Sequence, residues 1–125
     1  MNATTQHLLN ELPSIFKRRK KIAAVYLFGS TATGRDHRGS DLDLAIITKK
    51  PISGLERSKI ELNVSNKLLR DVHLVVFGQA TPLLRHQVLK YGRLICENDP
   101  AERVRQEVLS RTEYLDTKHL FREIP

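Results

Sequence analysis

Apolar positions change their spacing several times along the chain, and each change predicts a new element. Leu8, Leu9 and Leu12 recur at helical spacing behind Thr4 and Thr5, either of which can cap a first helix. Pro13 interrupts that helix or restarts it as a first-turn proline. Val25-Tyr26-Leu27-Phe28 is an unbroken apolar run and predicts a buried strand. Leu42, Leu44, Ile46 and Ile47 predict a second strand, which Lys49-Lys50-Pro51 stops. Ser53 then caps a helix running to about Arg70. Leu55, Leu62 and Leu69 fall seven apart in it, and with Val64 and Leu68 they form the stripe expected to face the core. A third strand is expected from Val72 to Phe77, ended by Gly78. Thr81-Pro82 opens a third helix, with Leu83, Leu84, Val88 and Leu89 inward and Gly92 at its end. Arg93 to Glu97 reads as a short edge strand. Asp99-Pro100 caps a last helix with Val104, Val108, Leu109 and Leu115 on one stripe. Strand–helix–strand at this length is a crossover unit. The expected fold class is α/β, a small mixed sheet of three to four strands backed by helices. Residues 1–125 read as a single domain, without internal repeat, low-complexity segment or linker.

Charge narrows the choice of partner. Twenty-one basic residues against 14 acidic ones give a formal charge of +7, which favours a nucleotide, a nucleic acid or an acidic protein face. The densest run is Lys17-Arg18-Arg19-Lys20-Lys21. It lacks interleaved aromatic residues, so a solvated helix end is preferred here to an RNA contact. The one cysteine, Cys96, excludes an intrachain disulfide and a cysteine-rich zinc site, and its neighbours Leu94 and Ile95 point to an inert thiol. No apolar run approaches a membrane span, and the N-terminus lacks the apolar centre of a signal peptide. A cytoplasmic location is expected.

The candidate chemistry lies between the first two strands. Gly29-Ser30 ends the first strand, where glycine permits close backbone approach and serine offers a hydroxyl and an N–H to phosphate. Thr31 to Gly34 reads as a short helical turn whose free N–H groups would address the same anion. Ten residues separate Ser30 from Asp41, and Asp43 follows two further on. Residues i and i+2 of a strand share a face, so the two carboxylates project together. Adjacent carboxylates repel unless a cation lies between them, and hard divalent ions bind carboxylates together with substrate phosphates. This combination points to metal-dependent transfer of a nucleotidyl or phosphoryl group. Arg35, His37 and Arg38, in the intervening loop, could neutralise phosphate charge or form an ordinary polar loop. His7, His86 and His119 lack metal-ligand spacing and read as structural or exposed.

Gly-Ser, ten residues, then Asp-x-Asp resembles the signature of the polymerase-β-like nucleotidyltransferase superfamily. The wider match, Tyr26-Leu27-Phe28-Gly29-Ser30 through Ser40-Asp41-Leu42-Asp43-Leu44-Ala45, resembles its minimal nucleotidyltransferase (MNT) branch. Gln87 to Ile95 and Tyr114-Leu115-Asp116 are similar to MNT antitoxins, which pair with HEPN-domain toxins. The resemblance implies a nucleotidyltransferase fold, with ATP as substrate and Mg²⁺ on Asp41 and Asp43. It implies nucleotide contacts at Gly29, Ser30 and Ser40. The implied reaction is AMP transfer to a hydroxyl, expected to be a tyrosine, of a cognate HEPN toxin.

One position departs from the pattern. The family carries a third carboxylate on the third strand, between a valine and a leucine. In Asp71-Val72-His73-Leu74-Val75 that position is His73. His73 could act as general base. Asp71 could substitute as ligand if a bulge or register shift moved it forward. The site could also be degenerate, binding nucleotide while transferring poorly. Two other functions stay open: an antitoxin that neutralises by binding alone, and a nucleotidyltransferase for a small molecule or an RNA end. The chain has no apparent room for a substrate domain, which implies that a partner completes the site.

Overall fold

The computed structural model describes residues 3–29 and 41–122. Helix α1 (Ala3–Phe16) leads into β1 (Ile22–Phe28), and β2 (Leu42–Thr48), α2 (Gly54–Leu68) and β3 (Val72–Val76) follow. A 3-10 turn at Phe77–Gln79 connects to α3 (Pro82–Tyr91), β4 (Arg93–Glu97) and α4 (Pro100–Arg122). The sheet order is β3-β2-β1-β4. β1 is antiparallel to β2 and β4, whereas β2 and β3 are parallel, as a helical crossover requires. The sheet is therefore mixed and four-stranded, as expected, and β1 starts three residues earlier than its apolar run suggests because Ala23 and Ala24 are also buried.

The two faces of the sheet are covered differently. Val25, Leu27, Leu44, Ile46 and Leu74 pack with Leu12 and Phe16 of α1 and Ile60, Val64 and Leu68 of α2. Tyr26, Ala45 and Ile47 on the opposite face meet Phe77 and Val88. The caps predicted for α2, α3 and α4 form, whereas Thr4 and Thr5 lie inside α1, which begins at Ala3 and runs on through Pro13. Ser53 Oγ accepts from the Glu56 N–H at 3.1 Å, Thr81 Oγ1 from Leu84 at 3.2 Å, and Asp99 Oδ1 from Glu102 at 3.2 Å.

Parts of three apolar stripes face the other way from the expectation, although Val64 and Leu68 of α2 and Val88 of α3 are buried as expected. Ile60, Val64 and Leu68, four apart, line the sheet side of α2, while Leu55, Leu62 and Leu69 are exposed. At roughly 100° per residue the leucine line falls on the opposite side of the helix. In α3, Leu83 is exposed and Arg85 is buried, donating to Glu113 at 2.6 Å and to the Ala80 carbonyl at 3.0 Å. In α4, Val104, Val108, Leu109 and Leu115 are exposed, and the inward face is polar. Its reason is the surface it covers. The Tyr26 hydroxyl donates to Glu107, and Gln106 Nε2 donates to the Thr48 carbonyl at 2.9 Å. Burial, reinforced by the Glu107 carboxylate, pushes the Tyr26 phenol well above its ordinary range. His86, expected to be structural or exposed, stacks on Tyr114 with centroids 3.7 Å apart. Cys96 is half-buried, and desolvation pushes its thiol up to about 11. Among the described residues no helix is long and apolar enough to cross a membrane.

The outer edge of β3 is closed by side chains. Glu61 Oε2 accepts the Leu74 N–H at 2.8 Å, and Arg57 donates to the Leu74 carbonyl at 3.1 Å and to Glu61 at 2.9 Å. The pair stands in for a neighbouring strand and fixes β3 one residue beyond His73. Glu61→Ala should lower unfolding free energy by about 1–3 kcal/mol, because it leaves a backbone donor and a guanidinium without their partner. Urea denaturation measures this, and an unchanged midpoint would remove the clamp from the account.

Candidate active site

The C-terminal end of β1 and the N-terminal ends of β2 and β3 lie at the same end of the sheet. The register places Phe28 opposite Asp43 and Asp43 opposite His73. Asp43 thus occupies the middle of a row of three strands, with its side chain 25% exposed, and His73 on the edge strand is 61% exposed. His73 Nδ1 lies 3.2 Å from Asp43 Oδ1. A carboxylate can only accept, so the contact puts the proton on Nδ1 and leaves Nε2 as the imidazole's basic nitrogen.

Gly29 closes the row from the other side. Its φ is +74°, in the left-handed region, and a Cβ built on it would lie 2.3 Å from Asp43 Oδ2. The backbone turns against the carboxylate at a separation that only glycine permits. Asp41 is exposed, immediately before β2, and the alternation of the strand puts it on the Asp43 face. Ser30 and Ser40 lie outside the described residues, as do the Thr31–Gly34 turn and Arg35, His37 and Arg38.

The same register bears on Asp71. Its carbonyl accepts the Leu42 N–H at 2.9 Å, and β2 and β3 then pair without interruption from Leu42–Val72 to Ile46–Val76. The bulge or shift that would bring Asp71 forward is absent from this pairing, and His73 holds the position beside Asp43. Among the described residues no three His, Cys, Asp or Glu side chains are grouped so as to hold a metal. Two carboxylates on one strand face nonetheless suit Mg²⁺, which takes one or two protein carboxylates and completes its shell with phosphate oxygens and water. Sequence reasoning missed the Arg57–Glu61 clamp behind His73, although its four-residue spacing of opposite charges on α2 was visible.

A family model described as polymerase beta, nucleotidyltransferase, matches residues 10–101, well over half of the chain. The chain belongs to the polymerase-β nucleotidyltransferase family. The curated protein adenylyltransferase MntA of Shewanella oneidensis is 33% identical to this family member over 73 residues, 58% of the chain. That match spans 52% of MntA, about half its length. Among solved structures, a toxin–antitoxin complex with AMP-PNP superposes with a TM-score of 0.80 at 24% identity, covering 93% of this chain and 94% of the other. A complex of tri-AMPylated HEPN toxin with MNT antitoxin from S. oneidensis gives 0.75 at 21% identity, over 96% and 94%. A minimal nucleotidyltransferase gives 0.62 at 26% identity, over 71% and 93%. The two complexes cover more of the chain than the family model does and share its fold.

Proposed function

We propose that this chain is the antitoxin of a HEPN/MNT pair and a protein adenylyltransferase that moves AMP from ATP to a hydroxyl, expected to be a tyrosine, of its HEPN toxin. The observation that carries the reading is the row of Gly29, Asp43 and His73 at one end of a nucleotidyltransferase sheet. MntA, the relative with 33% identity, is an enzyme of that name, which adds support for the acceptor class. Asp41 and Asp43 would hold Mg²⁺, which supplies neutralisation of phosphate charge when bound. Gly29, with Ser30 and Ser40, would approach the triphosphate. The acceptor oxygen forms a bond to the α-phosphorus, and the bond to the β,γ-pyrophosphate breaks. The hydroxyl proton passes to His73 Nε2, whose ring Asp43 orients through Nδ1–H. We take the chain to act as one domain, residues 1–125, in the cytoplasm, with the toxin completing the acceptor side.

If His73 is the base, His73→Ala should slow transfer by ~10²–10⁴-fold while nucleotide affinity changes little. Single-turnover transfer and calorimetry separate the two quantities. A native rate unaffected by His73→Ala contradicts the assignment. So does a comparable gain in His73→Asp, which would mark the native site as degenerate. The second reading, an antitoxin acting by binding alone, is favoured by the imidazole itself, since Mg²⁺ prefers oxygen. Incubation with labelled ATP, Mg²⁺ and a candidate HEPN-domain toxin distinguishes them. Label on the partner supports the proposal. A stable unlabelled complex favours binding alone, and label on RNA or a small molecule would replace the acceptor.

A further inference from the structure

The end of the sheet opposite Asp43 carries the chain's densest positive charge, and it is built from three separate segments. Lys17 to Lys21 form the turn between α1 and β1, Lys49 and Lys50 follow β2, and Lys59 lies on α2. The turns touch: the Lys49 N–H donates to the Lys21 carbonyl at 3.0 Å. Arg19, Lys20, Lys21 and Lys59 line one groove of about 460 Å³ with Asn63 and a single carboxylate, Glu56. β1 runs from this pole to Gly29, and its seven residues span about 20 Å. The pole is therefore remote from the expected triphosphate site.

Little negative charge opposes it. Lys21 pairs with Glu56 at 3.3 Å and Lys49 with Asp99 at 3.6 Å, each joining an exposed lysine to a half-buried carboxylate. Lys17, Arg18, Lys20, Lys50 and Lys59 are exposed and make no ion pair among the described residues. The turn that carries the run is held in place. Ile22 donates to the Arg19 carbonyl at 3.0 Å, and the Asn98 amide reaches the carbonyls of Phe16 and Ile22 at 3.1 and 3.0 Å. Fixing like charges together is unfavourable unless a polyanion relieves them.

We propose that this pole binds the phosphate backbone of single-stranded nucleic acid, independently of sequence and of the nucleotidyl-transfer site. Lysine dominates the patch, and lysine is depleted in protein–protein interfaces but is a normal phosphate contact, which favours nucleic acid over an acidic protein face. The run has no aromatic residue on which bases could stack, so binding here would rest on phosphate contacts, which carry no sequence information.

Fluorescence anisotropy of the full-length protein with labelled 20-nucleotide RNAs of unrelated sequence tests this across a salt series. The expected result is similar affinity for each RNA and a log–log salt slope of about −3 or steeper, near −0.7 per phosphate contacted. Lys17→Glu/Arg18→Glu/Lys20→Glu should weaken binding at least tenfold and flatten the slope by about 2. The milder Lys49→Gln/Lys50→Gln pair should weaken binding severalfold, and it decides the matter if charge reversal unfolds the protein. Mg·ATP should not displace the RNA, and Asp41→Asn/Asp43→Asn should bind it normally. No binding at low salt, unchanged binding in both pole variants, or displacement by Mg·ATP would overturn the proposal. Polyglutamate of equal length binding as tightly as RNA would assign the pole to an acidic protein instead.

Discussion

Replacing Asp41 and Asp43 together by asparagine is expected to abolish Mg²⁺-dependent ATP binding and to reduce AMP transfer by on the order of 10³-fold or more. The size follows from removing the carboxylate pair on this strand face, since a bound divalent ion contributes several kcal/mol to a charged transition state. Asparagine keeps the shape of each side chain, and losing both neighbouring negative charges removes their repulsion, so the fold should persist. The contact from His73 also persists in form, because an amide oxygen at position 43 can accept from Nδ1–H. Calorimetric titration with ATP and Mg²⁺, beside a thermal melt, separates loss of the site from loss of structure. Unchanged Mg·ATP affinity in a folded double variant would remove Asp41 and Asp43 from the site.

Gly29→Val should come next in size, through two effects at one atom. A non-glycine residue at φ +74° carries a backbone penalty of roughly 1–2 kcal/mol, and a β-branched one is the least suited. The added Cβ would lie 2.3 Å from Asp43 Oδ2 and 3.0 Å from its Cγ, so the carboxylate must move. A displacement of about 1 Å in a catalytic group can lower the rate ~10²-fold. The variant should therefore melt at a lower temperature and lose at least that much transfer activity. Gly29→Ala should lie between it and the native protein. Native-like transfer by Gly29→Val would mean that the Gly29 turn does not position Asp43.

The sheet was legible in the sequence because its strands are short segments rich in apolar residues and its later helices carry explicit caps at Ser53, Thr81 and Asp99. The pairing of Asp43 with His73 was legible only in outline. Alternation put Asp41 and Asp43 on one face, but strand register decides which β3 residue stands opposite, and register depends on packing across the whole sheet. Helix orientation was where periodicity misled. Leu55, Leu62 and Leu69 repeat as cleanly as a core stripe, yet they are exposed, and Ile60, Val64 and Leu68 face the sheet. α4 inverts the rule further, because Tyr26 and the Thr48 carbonyl present polar atoms that Glu107 and Gln106 satisfy. A pattern of apolar residues cannot reveal polar needs on the surface it will cover. The basic pole was hidden for a related reason: Lys17–Lys21, Lys49–Lys50 and Lys59 are distant in sequence, and the β1–β2 pairing brings their segments together.

The central claim is that this site transfers a nucleotidyl group, and isotopic position tests it most directly. ATP labelled either at the α- or at the γ-phosphorus would be incubated with Mg²⁺, the protein and the proposed HEPN-domain partner, and label on the partner would be counted after denaturing separation. Transfer of AMP leaves the α label on the partner and releases the γ label as pyrophosphate. The account predicts α label only, absent in Asp41→Asn/Asp43→Asn. Retention of the γ label would instead show phosphoryl transfer and contradict it, as would α label that survives in the double variant.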